Sequence, residues 1–263
     1  MFDTDLLIQQ AEKHNSFYFY EESTILNNIT QLKRDYPDVT FLYSVKCNPY
    51  PEILRCVVAQ GFGVDAASLA ECQMGRRFGL SADQIYYSAP GKSREDIAGA
   101  LGISTLIADS VDEVMRIQQA AAHQGVTAEI GLRINPNFSY TADVGSASKF
   151  GIDEDIVYNS IEAWKALPNV RIVGLHTHLK SQELDAEMLK SYYHKMFCMA
   201  EAMCAAFGAL KFLNLGSGIG IPLRTTERPF DTRSLGQETR RLMEKFCDRM
   251  PRMRIFIETG RYV

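Results

Sequence analysis

The sequence predicts an α/β fold and, within that class, a (β/α)8 TIM-type barrel. Three observations predict it. Short apolar runs alternate along the chain with segments of helical period. From residue 41 onward there are eight such runs, with seven helical or loop-helix segments between them. Eight parallel strands and their covering helices fit the remaining length of about 220 residues, since a barrel of this kind runs to roughly 250. An open doubly wound sheet is the structural alternative, and the count of eight favours the barrel.

Each element follows in order. A lead-in of a strand and a helix is expected over residues 1–40, with the helix at 23–36, before the first strand FLYSV (41–45). FGV (62–64) is the second strand. Ser68 to Phe78 has Leu69, Cys72 and Gly75 or Arg76 on successive helical turns. IYYSA (85–89) and TLIA (105–108) are the third and fourth strands. Val111 to Ala122 carries Val111, Val114, Met115 and Gln118 at helical spacing. AEIGLRI (128–134) and RIVGLH (171–176) follow, then a long Met- and Ala-rich helix from Asp185 to Phe207. KFLNL (211–215) is the seventh strand. Asp231 and Thr232 open a last helix that ends near Arg249, before Pro251. RIFIE (254–258) is the eighth strand. The runs are near-continuous rather than alternating, as strands covered on both faces should be.

Composition narrows the function. The chain has 263 residues, 46% hydrophobic and 23% charged, with a formal net charge of −4. No basic patch or charge run argues for nucleic acid. No stretch reaches the roughly 18 uninterrupted apolar residues of a membrane span. The start, MFDTDLLIQQAEKHN, lacks the basic-then-apolar order of a secretion signal. Six cysteines lie scattered without a C-x-x-C pair, against a disulfide framework or a cysteine-based zinc site. A reduced, cytoplasmic compartment is the simplest expectation.

A barrel builds its active site at the C-terminal ends of its strands. There the sequence collects Lys46, Asp65, Ser88, Asp109, Arg133, Asn135, His176, His178, Ser181, the loop Gly216-Ser217-Gly218-Ile219-Gly220, Glu258, Gly260 and Arg261. Singly, each has a bland explanation. Lys46 can be a solvated strand terminus, Asp65 a loop-capping carboxylate and Arg261 a surface charge. His176-x-His178 shares one strand face but has no third ligand nearby, so no metal is expected. The glycine loop is not the full G-x-G-x-x-G fingerprint. Together they say more. Glycines let backbone N–H groups approach an anion, and Arg261 adds a planar fork of donors. A phosphate there, an inward Lys, a flat His178 and a carboxylate at Glu258 suit pyridoxal 5′-phosphate (PLP). That cofactor needs an amine, a phosphate anchor and a ring-nitrogen partner.

These residues resemble those of the barrel-type (fold type III) PLP-dependent decarboxylases of diaminopimelate, ornithine and arginine. The resemblance runs from about Phe17 to Val263 and is highly specific in its order. YSVKCNP (43–49) looks like the Schiff-base motif, which implies that Lys46 holds the cofactor as an aldimine. GFGVDAASLAE (61–71) matches with Asp65, Ser68 and Glu71. LRINP (132–136) and SKFGI (148–152) look like the diaminopimelate branch. GLHTHLKSQ (174–182) implies that His178 lies on the cofactor ring. LGSGIGIP (215–222) resembles the phosphate loop. ETGR (258–261) resembles the family's Glu-Pro-Gly-Arg.

The resemblance implies an alanine-racemase-like barrel over 1–263. It implies that Glu258 bonds the pyridine nitrogen, that Ser181, Gly216, Ser217, Gly218, Gly220 and Arg261 hold the phosphate, and that Asp65, Thr259 and Gly260 also belong to the cofactor site. Arg261 also faces a substrate carboxylate in this reading, and Asp65 and Arg133 form a supporting ion pair. The expected reaction is decarboxylation of an amino acid, diaminopimelate first and ornithine or another basic amino acid as the alternative. A homodimer or a separate β-domain partner is expected. Lysine or polyamine biosynthesis is the setting it implies.

Three positions depart from the pattern: Lys180 for Gly, Ser217 for Gly and Thr259 for Pro. Family members continue into a β-rich domain, whereas this sequence stops at Val263, without the last barrel helix, a gap that the helix at 23–36 can cover. A non-catalytic PLP-binding or regulatory partner, and a small PLP carrier, are therefore rival readings. A PLP racemase on a similar barrel is disfavoured, because its ring nitrogen typically faces Arg rather than a carboxylate such as Glu258.

Overall fold

The computed structural model describes residues 4–208, 210–216 and 218–263. Among them, nine parallel strands form one sheet that closes on itself. The barrel strands are β1 (Thr40–Ser44), β2 (Gly63–Ala66), β3 (Ile85–Tyr87), β4 (Thr105–Ala108), β5 (Ala128–Asn135), β7 (Val170–His176), β8 (Phe212–Asn214) and β9 (Arg254–Thr259). A two-residue β6 (Ile152–Asp153) hangs on the end of β5 through the pairing of Ile134 with Ile152. The order is β4-β3-β2-β1-β9-β8-β7-β5-β6, and β4 also pairs with β5 to close the barrel. All eight predicted strands are present, each shifted by no more than two residues at either end.

The helices are α1 (Thr4–Lys13), α2 (Glu22–Asp35), α3 (Pro51–Ala59), α4 (Leu69–Arg77), α5 (Arg94–Ala100), α6 (Val111–Gln124), α7 (Glu154–Lys165), α8 (Ala186–Phe207) and α9 (Thr232–Phe246). In α6 the buried stripe is Val114, Ile117 and Ala121, whereas Val111 and Met115 face solvent. The 3.6-residue period selects the first set as one face. Ser110 caps this helix by accepting from the Glu113 N–H at 3.1 Å.

The lead-in differs from expectation. Within residues 4–39 it is two helices and no strand. Phe17 to Tyr20 has strand-forming composition and lies outside both helices, yet it joins no sheet among the described residues. A strand is defined by its neighbour's hydrogen bonds, not by its own propensity. The helix α2 does cover the flank expected of it, packing between α3 and α9. Gly236 lets α9 approach closely: a Cβ there would sit 2.1 Å from the Asp35 carbonyl oxygen. Thr232 Oγ1 donates to Asp35 Oδ2 at 2.6 Å across the same contact.

The barrel interior is filled in layers, as closed eight-stranded barrels require. Leu42, Tyr86, Ile107, Val173, Phe212 and Phe256 form an apolar plug. Glycines make room for its large rings. A Cβ at Gly174 would lie 2.2 Å from Phe212 Cζ, and one at Gly131 would lie 2.6 Å from Ile107 Cδ1. Inward positions recur every second residue along a strand, so the layer above the plug is fixed by the same register. That layer is where the polar residues fall. The main apolar core lies outside the barrel, between strands and helices.

Candidate active site

In the layer above the plug, every barrel strand, or the residue just after it, contributes one buried polar side chain. They are Ser44, Asp65, Ser88 and Asp109 from the first four strands, and Arg133, His176, Asn214 and Glu258 from the last four. Pairing aligns them: Ser44 opposite Asp65, Arg133 opposite His176, and His176 opposite Asn214.

Lys46 stands on a single 3-10 turn, Val45–Cys47, at the end of β1. Asn48 closes that turn through its N–H to the Val45 oxygen at 3.1 Å, and Pro51 starts α3 immediately after. The Lys46 side chain is 58% exposed, with Nζ 3.7 Å from Asp65 Oδ2. The Asp65 carboxylate raises the Lys46 pKa, against the opposing pull of burial. Asp65 itself accepts from Ser44 Oγ at 3.0 Å and from Ser88 Oγ. Burial, then the neighbouring Glu258, pushes the Asp65 carboxyl above its ordinary value. Ser68 and Glu71 have a local task. Ser68 caps α4 by accepting from the Glu71 N–H at 3.2 Å, and Glu71 Oε2 accepts from the Ala67 N–H at 2.6 Å.

The expected Asp65–Arg133 pair does not form. Arg133 donates to Asp109 Oδ1 at 3.3 Å and lies over the Phe150 ring, 4.8 Å from its centroid. Asp109 Oδ1 also accepts from the Gly151 N–H at 3.2 Å. The SKFGI segment therefore wraps this pair, and Asp65 takes Lys46 because the turn after β1 overhangs β2.

Glu258 is the most deeply organised carboxylate. Its Oε1 accepts from Asn214 Nδ2 at 3.0 Å and lies 3.0 Å from His176 Nε2. Burial alone would raise its pKa, but His176, His178 and Lys46 outweigh that and hold it well below the carboxylate range. His178, past the end of β7, has its Nε2 3.0 Å from Ser181 Oγ. Burial lowers its pKa to about 4, so the imidazole is neutral at physiological pH.

The glycine loop is held from both sides. Gly216 has φ of +68°, and a Cβ there would lie 2.3 Å from the Thr177 oxygen. Its N–H donates to Asn214 Oδ1 at 2.9 Å. The Gly220 N–H donates to the Glu183 oxygen at 2.8 Å, and the Glu183 N–H to the Gly218 oxygen at 2.8 Å. Gly216 and Gly220 thus shape the loop, and their own N–H groups are engaged inside the protein. Ser217 lies outside the described residues. From α8, the Tyr192 hydroxyl reaches both the Thr177 oxygen at 3.0 Å and the Leu215 oxygen at 3.1 Å, tying the His178 loop to the glycine loop.

Arg261 reaches the same place, donating to Gln182 Oε1 at 2.9 Å. Lys180 Nζ is 2.8 Å from Glu183 Oε2, so its extra cation is neutralised locally. Gly260 lets the end of β9 lie on the Lys46 turn: a Cβ there would meet Cys47 Sγ at 2.3 Å. Thr259 follows Glu258 on β9. One residue on from Glu258, its side chain points to the opposite face of the strand, and its buried hydroxyl has no hydrogen-bond partner among the described residues.

The residues present fit PLP. They offer one amine, a neutral flat imidazole, an ionised buried carboxylate, and a glycine loop flanked by a guanidinium. Among the described residues no three His, Cys, Asp or Glu side chains gather to hold a metal ion. No helix among them is long and apolar enough to cross a membrane. Sequence reasoning missed Ser44, Asn214, Gln182 and Tyr192. For Ser44 and Asn214 a signal existed: each stands two residues beyond an inward apolar residue. For Gln182 and Tyr192 none did, because both act through loop geometry.

Comparison with known proteins agrees with this chemistry. The family profile "Pyridoxal-dependent decarboxylase, pyridoxal binding domain" matches residues 22–263. The chain is 28% identical to the L-glutamyl-[BtrI acyl-carrier protein] decarboxylase of Niallia circulans, covering 94% of this chain and 60% of that protein. It is 26% identical to the diaminopimelate decarboxylase of Aquifex aeolicus, covering 94% and 59%. Among solved structures, diaminopimelate decarboxylase from Helicobacter pylori complexed with L-lysine superposes with a TM-score of 0.86 at 25% identity, covering 97% of this chain and 66% of that one. The chain therefore spans about 60% of the length of the curated relatives it matches.

Proposed function

This chain belongs to the pyridoxal-dependent decarboxylases, whose pyridoxal-binding domain it contains, and on that premise we propose that it binds PLP through Lys46 and serves the decarboxylation of an amino acid of the diaminopimelate class. The observation that carries this reading is Glu258, a buried carboxylate whose Oε1 is held by Asn214 Nδ2 at 3.0 Å and lies 3.0 Å from His176 Nε2. When bound, PLP supplies an electron sink conjugated to the substrate's Cα.

The chain's own residues do the rest. Lys46 Nζ supplies the amine for the cofactor's aldehyde. Asp65, fixed by Ser44 and Ser88, keeps that amine in place. Glu258 would accept a charge-assisted hydrogen bond from the ring nitrogen, favouring the ring's protonated form. His178, uncharged, would cover the ring face without competing for that proton. The glycine loop, shaped by Gly216 and Gly220, and Arg261 would hold the phosphate, and Arg261 is also the candidate for a substrate carboxylate. None of these residues reads the substrate's side chain, so ornithine or another basic amino acid is served equally well by them. The exposure of Lys46 supports a covering partner, either a second copy or a β-rich domain, because polar chemistry of this kind is strengthened when water is excluded.

The test is chemical. Protein incubated with PLP and reduced with borohydride should carry a stable adduct mapped to Lys46. Lys46→Ala should carry none. An adduct that persists in Lys46→Ala would overturn the assignment, and release of CO2 from diaminopimelate against ornithine reads the substrate class.

A further inference from the structure

We propose that Asn214 is a positioning residue that locks the glycine loop and Glu258 into one unit, so that a single carboxamide registers the phosphate end and the ring-nitrogen end of the cofactor to each other. The inference rests on the PLP reading above.

The geometry is a closed cycle of three hydrogen bonds. Asn214 Nδ2 donates to Glu258 Oε1 at 3.0 Å. Asn214 Oδ1 accepts from the Gly216 N–H at 2.9 Å. The Glu258 N–H then donates to the Gly216 oxygen at 2.9 Å. The Asn214 side chain is completely buried at the end of β8, so neither bond is exchanged for water. A carboxamide suits the place for a definite reason. One side of it faces a donor and the other an anion, and only a group that both accepts and donates satisfies both. A carboxylate would keep the bond to Gly216 but set a second anion against Glu258. An aliphatic side chain would keep neither. With its Oε1 occupied by Asn214 and His176, Glu258 is oriented to offer its second oxygen to the ring. Gly216, held at φ of +68°, sets where the loop begins.

Two variants separate the two halves of this role. Asn214→Asp keeps the acceptor for Gly216 and removes the donor to Glu258. Asn214→Leu removes both. Binding is measured for PLP and for pyridoxal, which lacks the phosphate, together with the pH dependence of the bound cofactor's visible absorbance.

Wild type should prefer PLP over pyridoxal, and Asn214→Leu should lose on the order of tenfold of that preference. Asn214→Asp should keep the preference within about threefold, yet its absorbance should titrate at a different pH from wild type, because two adjacent carboxylates share a proton. A merely structural Asn214 would weaken both ligands alike and leave the spectrum's pH dependence unmoved. Either an unchanged preference in Asn214→Leu or a wild-type pH dependence in Asn214→Asp would overturn the proposal. If Asn214→Leu does not fold, the Asn214→Asp spectrum decides alone. Failure of the PLP reading itself is distinct: wild type would then show no saturable visible band, and both inferences would fall together.

Discussion

At the scale of single residues, protonation is set by what surrounds each group rather than by its type. His178 has a pKa lowered to about 4 by burial, from an ordinary value of 6.5. Between those two values the unfolded chain binds a proton that the folded chain refuses, so this residue makes stability rise with pH across that window. We expect His178→Gln to flatten the dependence of the apoprotein's unfolding free energy on pH between about 4 and 6.5, measured by urea titration at several pH values. An identical slope in the variant would show that the imidazole titrates freely. Lys46 is shifted the other way. Asp65 raises its pKa, so the amine stays protonated to a higher pH than it would alone. Asp65→Asn should therefore lower the pH midpoint at which apoprotein Lys46 reacts with pyridoxal. The rate of adduct formation against pH checks this, and an unmoved midpoint would dissociate the two residues.

At the scale of elements, a buried clip far from the sequence motifs holds the β4 side of the site. Lys92, fully buried, bonds Glu113 Oε2 at 2.9 Å, the Ala89 oxygen at 2.6 Å and the Ile107 oxygen at 2.7 Å. Glu113 accepts in turn from the N–H groups of Lys92 at 3.2 Å and Asp109 at 2.8 Å. The pair thus joins the loop after β3, the end of β4 and the first turn of α6. It also fixes the backbone of Asp109, the residue that pairs with Arg133. Removing one partner of a satisfied buried pair strands the other charge, at a cost of about 3–5 kcal/mol. Lys92→Met should lower the unfolding free energy by about that much in denaturant titration, and a loss below about 1 kcal/mol would mean that the site relaxes around Glu113.

At the scale of the whole molecule, one closed barrel carries the candidate site on all eight strands, so cofactor binding and folding are linked. PLP held at a hundred times its Kd should stabilise the chain by about 2.7 kcal/mol, and dialysis to the apoprotein should remove that increment. Thermal unfolding with and without PLP reads it, and no shift would mean that the cofactor does not distinguish folded from unfolded chain. Most of this architecture was legible in the sequence. Buried parallel strands must be apolar along their whole length, so FLYSV, TLIA and RIFIE announce themselves, and counting them predicts the barrel. The residues of strongest chemistry, Lys46, Asp65, His178, Glu258 and Arg261, stand at strand ends where such a fold puts its site. What the sequence could not decide is who partners whom. Arg133 pairs with Asp109 rather than Asp65, and Thr259 turns away while Asn214 turns in. Phe17 to Tyr20 joins no sheet among the described residues despite its composition. Each of those outcomes depends on register between strands far apart in the chain, and register is settled by the packing of Phe212 against Gly131 and Gly174 inside the barrel, a contact that exists only once the sheet has closed.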